Sequence, residues 1–411
     1  MIRAQTLKGF RDFLPKDAGK RQYVINIFKK VFEQFGFDPL ETPALEYADT
    51  LLGKYGNEAD KLLYLFKDNG GRNVGLRYDQ TVPLSRVVAQ YGSAGSPQAL
   101  PMPFKRYQIQ PVWRAENTQK GRFREFLQCD IDTVGSQSPL ADAEIIDCTL
   151  TTSKIFGFGE PQIVINDRTI FDDLGLTKRE IIIIDKLEKI GNDEVIKLLG
   201  ETGRTDAKAL FDKLQSAKPT ERLLNIFSAL KRLGYKESVD FRFAPFLARG
   251  LDYYTSTIFE LKVPGYTAGS LAGGGRFDKL IGSFIGKDIP AVGIAFGFDR
   301  FVEALEGANL LPVTRTATLV LVTVFTQDLL EASLELTNTL RDKGINTEVF
   351  LDTPGKLDKQ LKYADRKGIP YCIIIGPEEK TKNVVKLKNL QTKEQEELTI
   401  DAVIDKLTRA S

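Results

Sequence analysis

The sequence predicts an α+β protein with an antiparallel central sheet, a mostly helical insertion and a small C-terminal α/β domain. Three patterns support this fold class: period-two alternation of polar and apolar residues between Phe104 and Gly135, Lys- and Leu-rich helical sequence at 168–240, and alternating buried strands and helices after residue 316. At 411 residues, the chain is long enough for two or three domains with separate cores. The predicted division is a core at 1–167 and 241–308, an insertion at 168–240, a linker at 309–315 and a C-terminal domain at 316–411.

A helix and a hairpin are predicted in the N-terminal region. From Gln22 to Phe35, apolar residues recur at spacings of three and four, which places them on one face of a helix. Tyr64–Phe66 and Val74–Arg77 have strand composition, and Asp68 to Gly71 between them form a favourable turn sequence. We therefore expect strand-rich structure to dominate residues 62–134.

The segment from Phe104 to Gly135 contains two extended stretches that place their polar residues on one face. The turn between them is expected at Asn117 to Gly121. A solvated sheet face would explain alternating charge, but three arginines within eleven positions favour a site for phosphate or carboxylate, whose oxygens match the guanidinium fork. The residues expected on the polar face are Arg114 and Glu116 in the first stretch, and Arg122, Arg124, Gln128, Asp130 and Asp132 in the second.

Beyond a Gly- and Pro-containing boundary near residues 307–315, the pattern predicts a small α/β domain with a largely parallel sheet. Continuous apolar strands are expected at Thr318–Val324 and Tyr371–Gly376. The helix expected near 356–367 is rich in lysine. Its charges could contact RNA phosphates, although a solvated helix face explains most of them.

Composition excludes several classes of protein. The net charge is only +2, from 57 basic and 55 acidic residues, so any contact with nucleic acid must depend on local patches. No apolar run has the length of a membrane span, and the first ten residues lack the apolar core of a signal peptide. The three cysteines form no CxxC pair, which favours reduced thiols over disulfides or zinc. We expect a cytoplasmic enzyme that does not bind membranes.

Histidine is absent from the chain, which excludes a serine or cysteine nucleophile paired with histidine, an imidazole base and a histidine metal site. Catalysis must therefore use arginine, carboxylate, amide or phenol groups.

Six motifs in order resemble those of the histidyl-tRNA synthetases, within the class II aminoacyl-tRNA synthetases. The segment at 104–135 is similar to motif 2 of that class. The resemblance covers essentially the whole chain and implies a class II catalytic core, a helical insertion near the tRNA acceptor end and an anticodon-binding domain. The other five motifs are LKGFRDFLP at Leu7, LRYDQTVP at Leu76, LARGLDYYTSTIFE at Leu247, AGGGRFDKLIG at Ala272 and AVGIAFGFDRF at Ala291.

The resemblance implies activation of L-histidine by ATP and transfer to the 3′ end of tRNA(His). Arg114 corresponds to the arginine that holds the α-phosphate and the amino-acid carboxylate, and Arg249 would approach the same phosphate from the other side. Arg122 and Arg300 are candidates for the ATP phosphates and the adenine face, and Glu116 for the adenine amino group. Mg²⁺ is expected as a counter-ion held mainly by ATP, with no dedicated metal site in the protein.

Recognition of histidine is likewise assigned through the resemblance. The residues implied are Asp79, Thr81 and Gln128 for the amino group, and Asp132 and Tyr254, with Tyr253 beside them, for the imidazole nitrogens. Arg114 and Arg249 would also contact the carboxylate. Gly273 to Gly275 would let backbone approach the amino acid, although a simple turn is the plainer reading of the glycines alone. Asp130 lies on the polar face but acquires no role.

The resemblance also implies a homodimer, because the helix near residue 22 corresponds to motif 1.

One alternative function remains. A related non-catalytic subunit of ATP phosphoribosyltransferase shares the core, but characteristically lacks adenylation residues and the C-terminal domain. The absence of histidine raises a further hypothesis: such an enzyme could be translated when histidyl-tRNA is scarce, although compositional drift would give the same sequence.

Overall fold

The computed structural model describes residues 4–52, 62–92, 99–118, 123–249, 253–312, 316–352 and 355–410. Two compact units account for the chain: Met1–Asp12 with Val24–Leu311, and Phe13–Tyr23 with Pro312–Ser411. Among the helices of these ranges, none has both the length and the apolar composition needed to cross a bilayer.

An eight-stranded sheet forms the centre of the first unit, with strand order β1-β5-β6-β11-β10-β9-β7-β8. Neighbouring strands are antiparallel except at the two edges, where β1 pairs with β5 and β8 pairs with β7 in parallel. The predicted α+β class with an antiparallel core sheet is therefore confirmed. The strands of this sheet are β1 (Asp38–Pro39), β5 (Phe104–Trp113), β6 (Glu125–Val134), β7 (Gln162–Asp167), β8 (Phe241–Phe243), β9 (Thr257–Lys262), β10 (Ala272–Arg276) and β11 (Ala291–Gly297).

Helices cover the apolar face of this sheet. Phe28 is fully buried, and its ring lies 4.9 Å from that of Phe296 on β11 and 5.0 Å from that of Phe301. The predicted N-terminal helix exists but begins seven residues earlier than expected, at Pro15, since proline is favourable at the first helical position. The covering helices are α1 (Pro15–Gln34), α4 (Pro139–Ile155) and α12 (Phe298–Gly307).

A smaller sheet and two helices precede β5. The predicted hairpin is present, and the Asp68 carboxylate caps its turn by accepting hydrogen bonds from the backbone of Gly70 and Arg72, at 2.9 Å each. Strands dominate the described part of residues 62–134 as expected, but an unpredicted buried helix begins at Thr81. These elements are β2 (Leu45–Tyr47), α2 (Ala48–Leu52), β3 (Tyr64–Lys67), β4 (Asn73–Leu76) and α3 (Thr81–Tyr91), with β4 in the middle of the sheet.

Helices fill the segment between β7 and β8, but they belong to two different cores. The helices α5 (Thr169–Asp173), α6 (Lys178–Ile184), α7 (Leu187–Ile190), α8 (Asn192–Glu201) and α9 (Ala207–Gln215) surround a separate cluster that also includes Tyr254 and Ile258. In contrast, α10 (Glu221–Arg232) buries Leu223, Ile226 and Phe227 in the core of the large sheet. Only the first five helices therefore share a core that is distinct from that of the large sheet. A short helix α11 (Gly282–Ile285) follows β10.

The second unit contains a five-stranded sheet with order β13-β12-β14-β15-β16. The first three strands are parallel, as expected from the sequence, whereas β15 and β16 add an antiparallel edge that the sequence analysis did not identify. The elements are β12 (Val320–Val322), α13 (Leu330–Asp342), β13 (Thr347–Val349), α14 (Leu357–Lys367), β14 (Tyr371–Ile374), α15 (Pro377–Lys382), β15 (Val385–Asn389), β16 (Gln395–Leu398) and α16 (Ile400–Ala410).

Candidate active site

One face of the large sheet carries polar side chains, flanked by strands of small residues. On β6, successive polar positions pair with polar positions of β5 and with glycine or alanine on β11. Small residues on β11 leave room for the polar side chains of β6, such as the Asp132 carboxylate beside Gly293, so the polar face is the candidate floor of a site. The cross-strand rows are Arg106, Asp132 and Gly293; Gln108, Asp130 and Ala295; and Gln110, Gln128 and Gly297.

A fully buried arginine lies between two aspartates on this floor. Arg106 Nη2 is 2.7 Å from Asp132 Oδ2, close enough for an ion pair although not aligned for a hydrogen bond, and 4.0 Å from Asp130 Oδ2. Burial raises the pKa of Asp132 to about 6 and that of Asp130 to about 8, although Arg106 lowers both. The cluster has more carboxylates than its single arginine can neutralise, so it suits a cationic ligand.

Asp79 and Thr81 lie at the start of α3, where both side chains are buried. Asp79 Oδ1 accepts a hydrogen bond from the backbone N–H of Val82 at 3.1 Å, which fixes the carboxylate at the helix start. Burial raises the pKa of Asp79 to about 6, while this hydrogen bond and the charges of Arg114 and Arg106 lower it. Asp79 also raises the pKa of Asp130 and Asp132, so the structure brings these three acids into one electrostatic cluster.

Arg114 follows the end of β5 and is only partly buried. Its Nε donates to the backbone carbonyl of Tyr78 at 3.1 Å, and its guanidinium lies 5.1 Å from the centre of the Phe126 ring. Glu116 is also partly buried, and its carbonyl accepts a hydrogen bond from Arg124 Nε at 3.2 Å. Arg114 is thus placed beside Asp79, at the edge of the acid cluster.

A second group of side chains consists of Arg249, Tyr253 and Tyr254. Arg249 Nη1 donates to Glu260 Oε1 at 2.6 Å, and its guanidinium lies 5.9 Å from the centre of the Tyr254 ring. Burial lowers the pKa of Arg249, but electrostatic interactions with Tyr254 and Glu260 outweigh burial and raise it. The rings of Tyr253 and Tyr254 are 4.7 Å apart.

Glycines on β10 leave room for the side chains of Arg249 and Tyr254. A Cβ atom at Gly273 would overlap the guanidinium of Arg249, and one at Gly275 would lie 2.9 Å from Tyr254 Cδ1 and 2.5 Å from the carbonyl oxygen of Thr257. The structure therefore gives the glycine run a steric function within a strand. It is not the simple turn that the residues alone favoured.

Arg300 has no described contact with the acid cluster. Arg300 lies in the first turn of α12, where a Cβ atom on Gly269 would be 3.7 Å from its Nη1. On the same turn, Asp299 pairs with Arg11 at 2.8 Å. Arg122 lies outside the described residues.

Sequence reasoning missed several residues of the site. Arg106 was overlooked, although its alternation with Gln108 and Gln110 on one strand face is a signal that could have found it. Glu260 and Gly293 have no such signal, because each acts through a residue on another segment: Glu260 holds Arg249, which lies outside the strands, and a Cβ atom at Gly293 would overlap the Asp132 carboxylate on β6.

Known proteins match both parts of the chain. A family model described as Histidyl-tRNA synthetase matches residues 9–301, and one described as Anticodon binding domain matches residues 312–410. The Histidine--tRNA ligase of Rhodopirellula baltica is 38% identical, with 100% of each chain covered. That of Gloeobacter violaceus is also 38% identical, with 96% of each chain covered.

Solved structures give the same result. The crystal structure of histidyl-tRNA synthetase from Nostoc sp. has a TM-score of 0.87 and 30% sequence identity, and covers 100% of each chain. A Bacillus halodurans structure titled ATP phosphoribosyltransferase regulatory subunit/histidyl-tRNA synthetase has a TM-score of 0.72 and covers 88% of this chain and 97% of its own. At 22% identity, this second likeness shows a common fold and nothing more.

Proposed function

Because this chain belongs to the histidyl-tRNA synthetase family, we propose that its polar sheet face binds L-histidine while ATP activates the amino acid for transfer to the 3′ end of tRNA(His). The observation that carries this proposal is the buried cluster of Asp79, Asp130 and Asp132 around Arg106, beside Arg114. Its excess of carboxylates suits an amino acid with a cationic ammonium group and N–H donors on its side chain.

Histidine would lie across the floor with its two polar ends read separately. Asp79, Thr81 and Gln128 receive the ammonium group, while Asp132 and Tyr254 bond the two imidazole nitrogens and Tyr253 packs beside them. An analogue without ring nitrogens would leave a buried carboxylate and a buried phenol without partners. Specificity for histidine follows from this cost.

Arg114 and Arg249 would stabilise the reacting phosphate. The histidine carboxylate attacks the α-phosphorus in line and displaces pyrophosphate, so negative charge grows on the α-phosphate oxygens. Glu260 holds one end of Arg249, and the buried Nε has no hydrogen-bond partner among the described residues. An arginine fixed in this way can donate to a new anion without reorganisation.

ATP would be held by Arg114, Glu116, Arg122 and Arg300. Mg²⁺ fits here as a phosphate counter-ion that lowers the charge of the leaving pyrophosphate. The nearby carboxylate of Glu260 is occupied by Arg249, so the metal would be bound mainly by phosphate oxygens.

The partners and setting follow from the same proposal. The second unit would bind the anticodon region of tRNA(His), and α1 would lie at the interface of a homodimer. We place the enzyme in the cytoplasm, without a membrane partner. The alternative, a non-catalytic regulatory subunit of ATP phosphoribosyltransferase, would have no need for Arg114 and Arg249 beside this cluster.

The test is histidine-dependent exchange of pyrophosphate into ATP. Arg249→Ala and Arg114→Ala should each lower the exchange rate at least a hundredfold, since removing one preorganised donor costs about 10²- to 10³-fold. Arg232→Ala, which removes an exposed arginine of α10, is the matched control and should keep the wild-type rate. Wild-type exchange in either site variant would refute its catalytic role.

A further inference from the structure

We propose that Asp130 is a positioning residue that fixes the side-chain amide of Gln128, so that Gln128 presents its oxygen to the ammonium group of histidine. The inference rests on the proposed function of Gln128 as an ammonium acceptor. Asp130 is the one acid of the buried cluster to which substrate binding assigns no contact.

The geometry of the pair carries this inference. Gln128 Nε2 lies 3.0 Å from Asp130 Oδ1 and 2.9 Å from Asp130 Oδ2. The two residues are on the same face of β6, and only 6% and 2% of their surfaces are exposed. When it is ionised, the form that a ligand cation beside Gln128 favours, the Asp130 carboxylate can only accept hydrogen bonds, so it holds the NH₂ end of the amide and turns the oxygen away.

The amide oxygen is then available to a donor from outside. None of the described residues donates a hydrogen bond to Gln128 Oε1. On the neighbouring strand, β11, the residue opposite Gln128 is Gly297, which has no side chain to fill the space. A ligand ammonium group is a donor of suitable charge for this oxygen.

Asp130 is itself held in place by its surroundings. Arg106 Nη2 lies 4.0 Å from Asp130 Oδ2, and Ala295 opposite it on β11 has too small a side chain to compete for its oxygens. Burial raises the pKa of Asp130 to about 8, so the ligand-free carboxyl holds a proton near neutral pH, and a cation that arrives beside Gln128 favours release of that proton. Histidine binding and the orientation of the amide therefore reinforce each other.

A reversed amide would carry a clear penalty. With Nε2 facing the ligand, the NH₂ group of Gln128 would oppose the ammonium group of histidine in a buried site, and neither donor would find an acceptor. Histidine would suffer this penalty, but 3-(imidazol-4-yl)propionate, which lacks the amino group, would not. The ratio of the two affinities therefore reports the orientation of Gln128, whereas general damage to the site would weaken both ligands together.

The experiment measures the dissociation constants of both ligands by calorimetry for the full-length protein and a set of variants. In Asp130→Asn, the new amide can donate to Gln128 Oε1, so the preference for histidine should fall about tenfold. Asp130→Ser, whose side chain is too short to hold the Gln128 amide, should also reduce the preference for histidine. The exchanged pair Asp130→Asn with Gln128→Glu should restore the preference, because Glu presents only acceptors and Asn supplies the donor.

Each outcome decides a separate point. A preference that stays at the wild-type value in both Asp130→Asn and Asp130→Ser would overturn the inference, as would an exchanged pair no better than Asp130→Asn. Gln128→Ala tests the premise: it should lose the preference. An unchanged preference in Gln128→Ala would instead refute the ammonium-binding role of Gln128, and the inference with it.

Discussion

At the scale of single residues, some side chains of the site could be predicted from the sequence and others could not. Gln128, Asp130 and Asp132 could be predicted on one face, because alternation along one strand is a local property. Glu260 and Gly293 could not, since Glu260 acts through Arg249, which lies outside the strands, and Gly293 acts through its cross-strand partner Asp132. Side chains assigned from family motifs include Asp79, which joins the buried acid cluster, and Arg249, which pairs with Glu260, and their roles stay predictions.

Gly293 offers a sharp test of the site floor. A Cβ atom there would overlap the carboxylate of Asp132, which cannot move without leaving Arg106. We expect Gly293→Ala to raise the KM for histidine at least tenfold, since a charged hydrogen-bond partner would be displaced. Gly307→Ala is the control, because a Cβ atom at Gly307 meets no atom within 4 Å. A wild-type KM in Gly293→Ala would show that Asp132 does not read the substrate.

Asp130 should also affect stability in a pH-dependent manner. Burial raises its pKa to about 8 in the folded protein, so the folded state keeps a proton that the unfolded state has released. The stabilising effect of that proton is present below the unfolded pKa of about 4 and is lost as pH rises to about 8. Relative to Asp130→Asn, the melting temperature of the ligand-free protein should therefore fall by a few degrees between pH 5 and pH 9, an interval that includes most of this loss. A melting-temperature difference between the wild type and Asp130→Asn that stays constant or rises with pH would contradict the raised pKa of Asp130.

At the scale of helices and strands, the strongest periodic signals were reliable and the boundaries were not. The N-terminal helix, the hairpin at residues 64–76 and the strand pair β5–β6 all follow from local patterns. The helix α3 was missed because Thr81, Val82 and Pro83 at its start resemble strand or turn sequence, and the surrounding structure overrides that preference.

Packing across long distances in the chain explains the other differences. The helix α10 has the same composition as the insertion, yet Leu223 and Phe227 pack in the core of the large sheet. Nothing local distinguishes it from α9, which packs in the other core. The strands β15 and β16 are short and largely polar, so neither showed the continuous apolar run that marked β12 and β14.

At the scale of the whole molecule, the fold class and the histidine–tRNA ligase function that the six motifs predicted are confirmed. The family matches span residues 9–301 and 312–410, and relatives with full-length coverage are histidine–tRNA ligases. The fold alone does not determine this function, since a structure titled as a regulatory subunit has a TM-score of 0.72.

The absence of histidine leads to a prediction about how well the enzyme is synthesised when histidine is limiting. A histidine-free enzyme can be translated without charged histidyl-tRNA, which is its own product. Under histidine limitation, its synthesis should continue better than that of a variant with histidine at the exposed positions Asn192, Gln215 and Gln391. The control carries alanine at the same positions. Equal decline of the histidine and alanine variants, measured by pulse labelling, would leave compositional drift as the explanation.

The central claim is that this polar sheet face selects histidine for attachment to tRNA. Aminoacylation of tRNA(His), measured separately with each of the amino acids of translation in the presence of ATP and Mg²⁺, tests it most directly. We predict charging with histidine alone, and loss of that charging in Asp132→Ala, which removes the carboxylate that we propose binds the imidazole. Charging with another amino acid at a comparable rate, or undiminished histidine charging in Asp132→Ala, would contradict the claim.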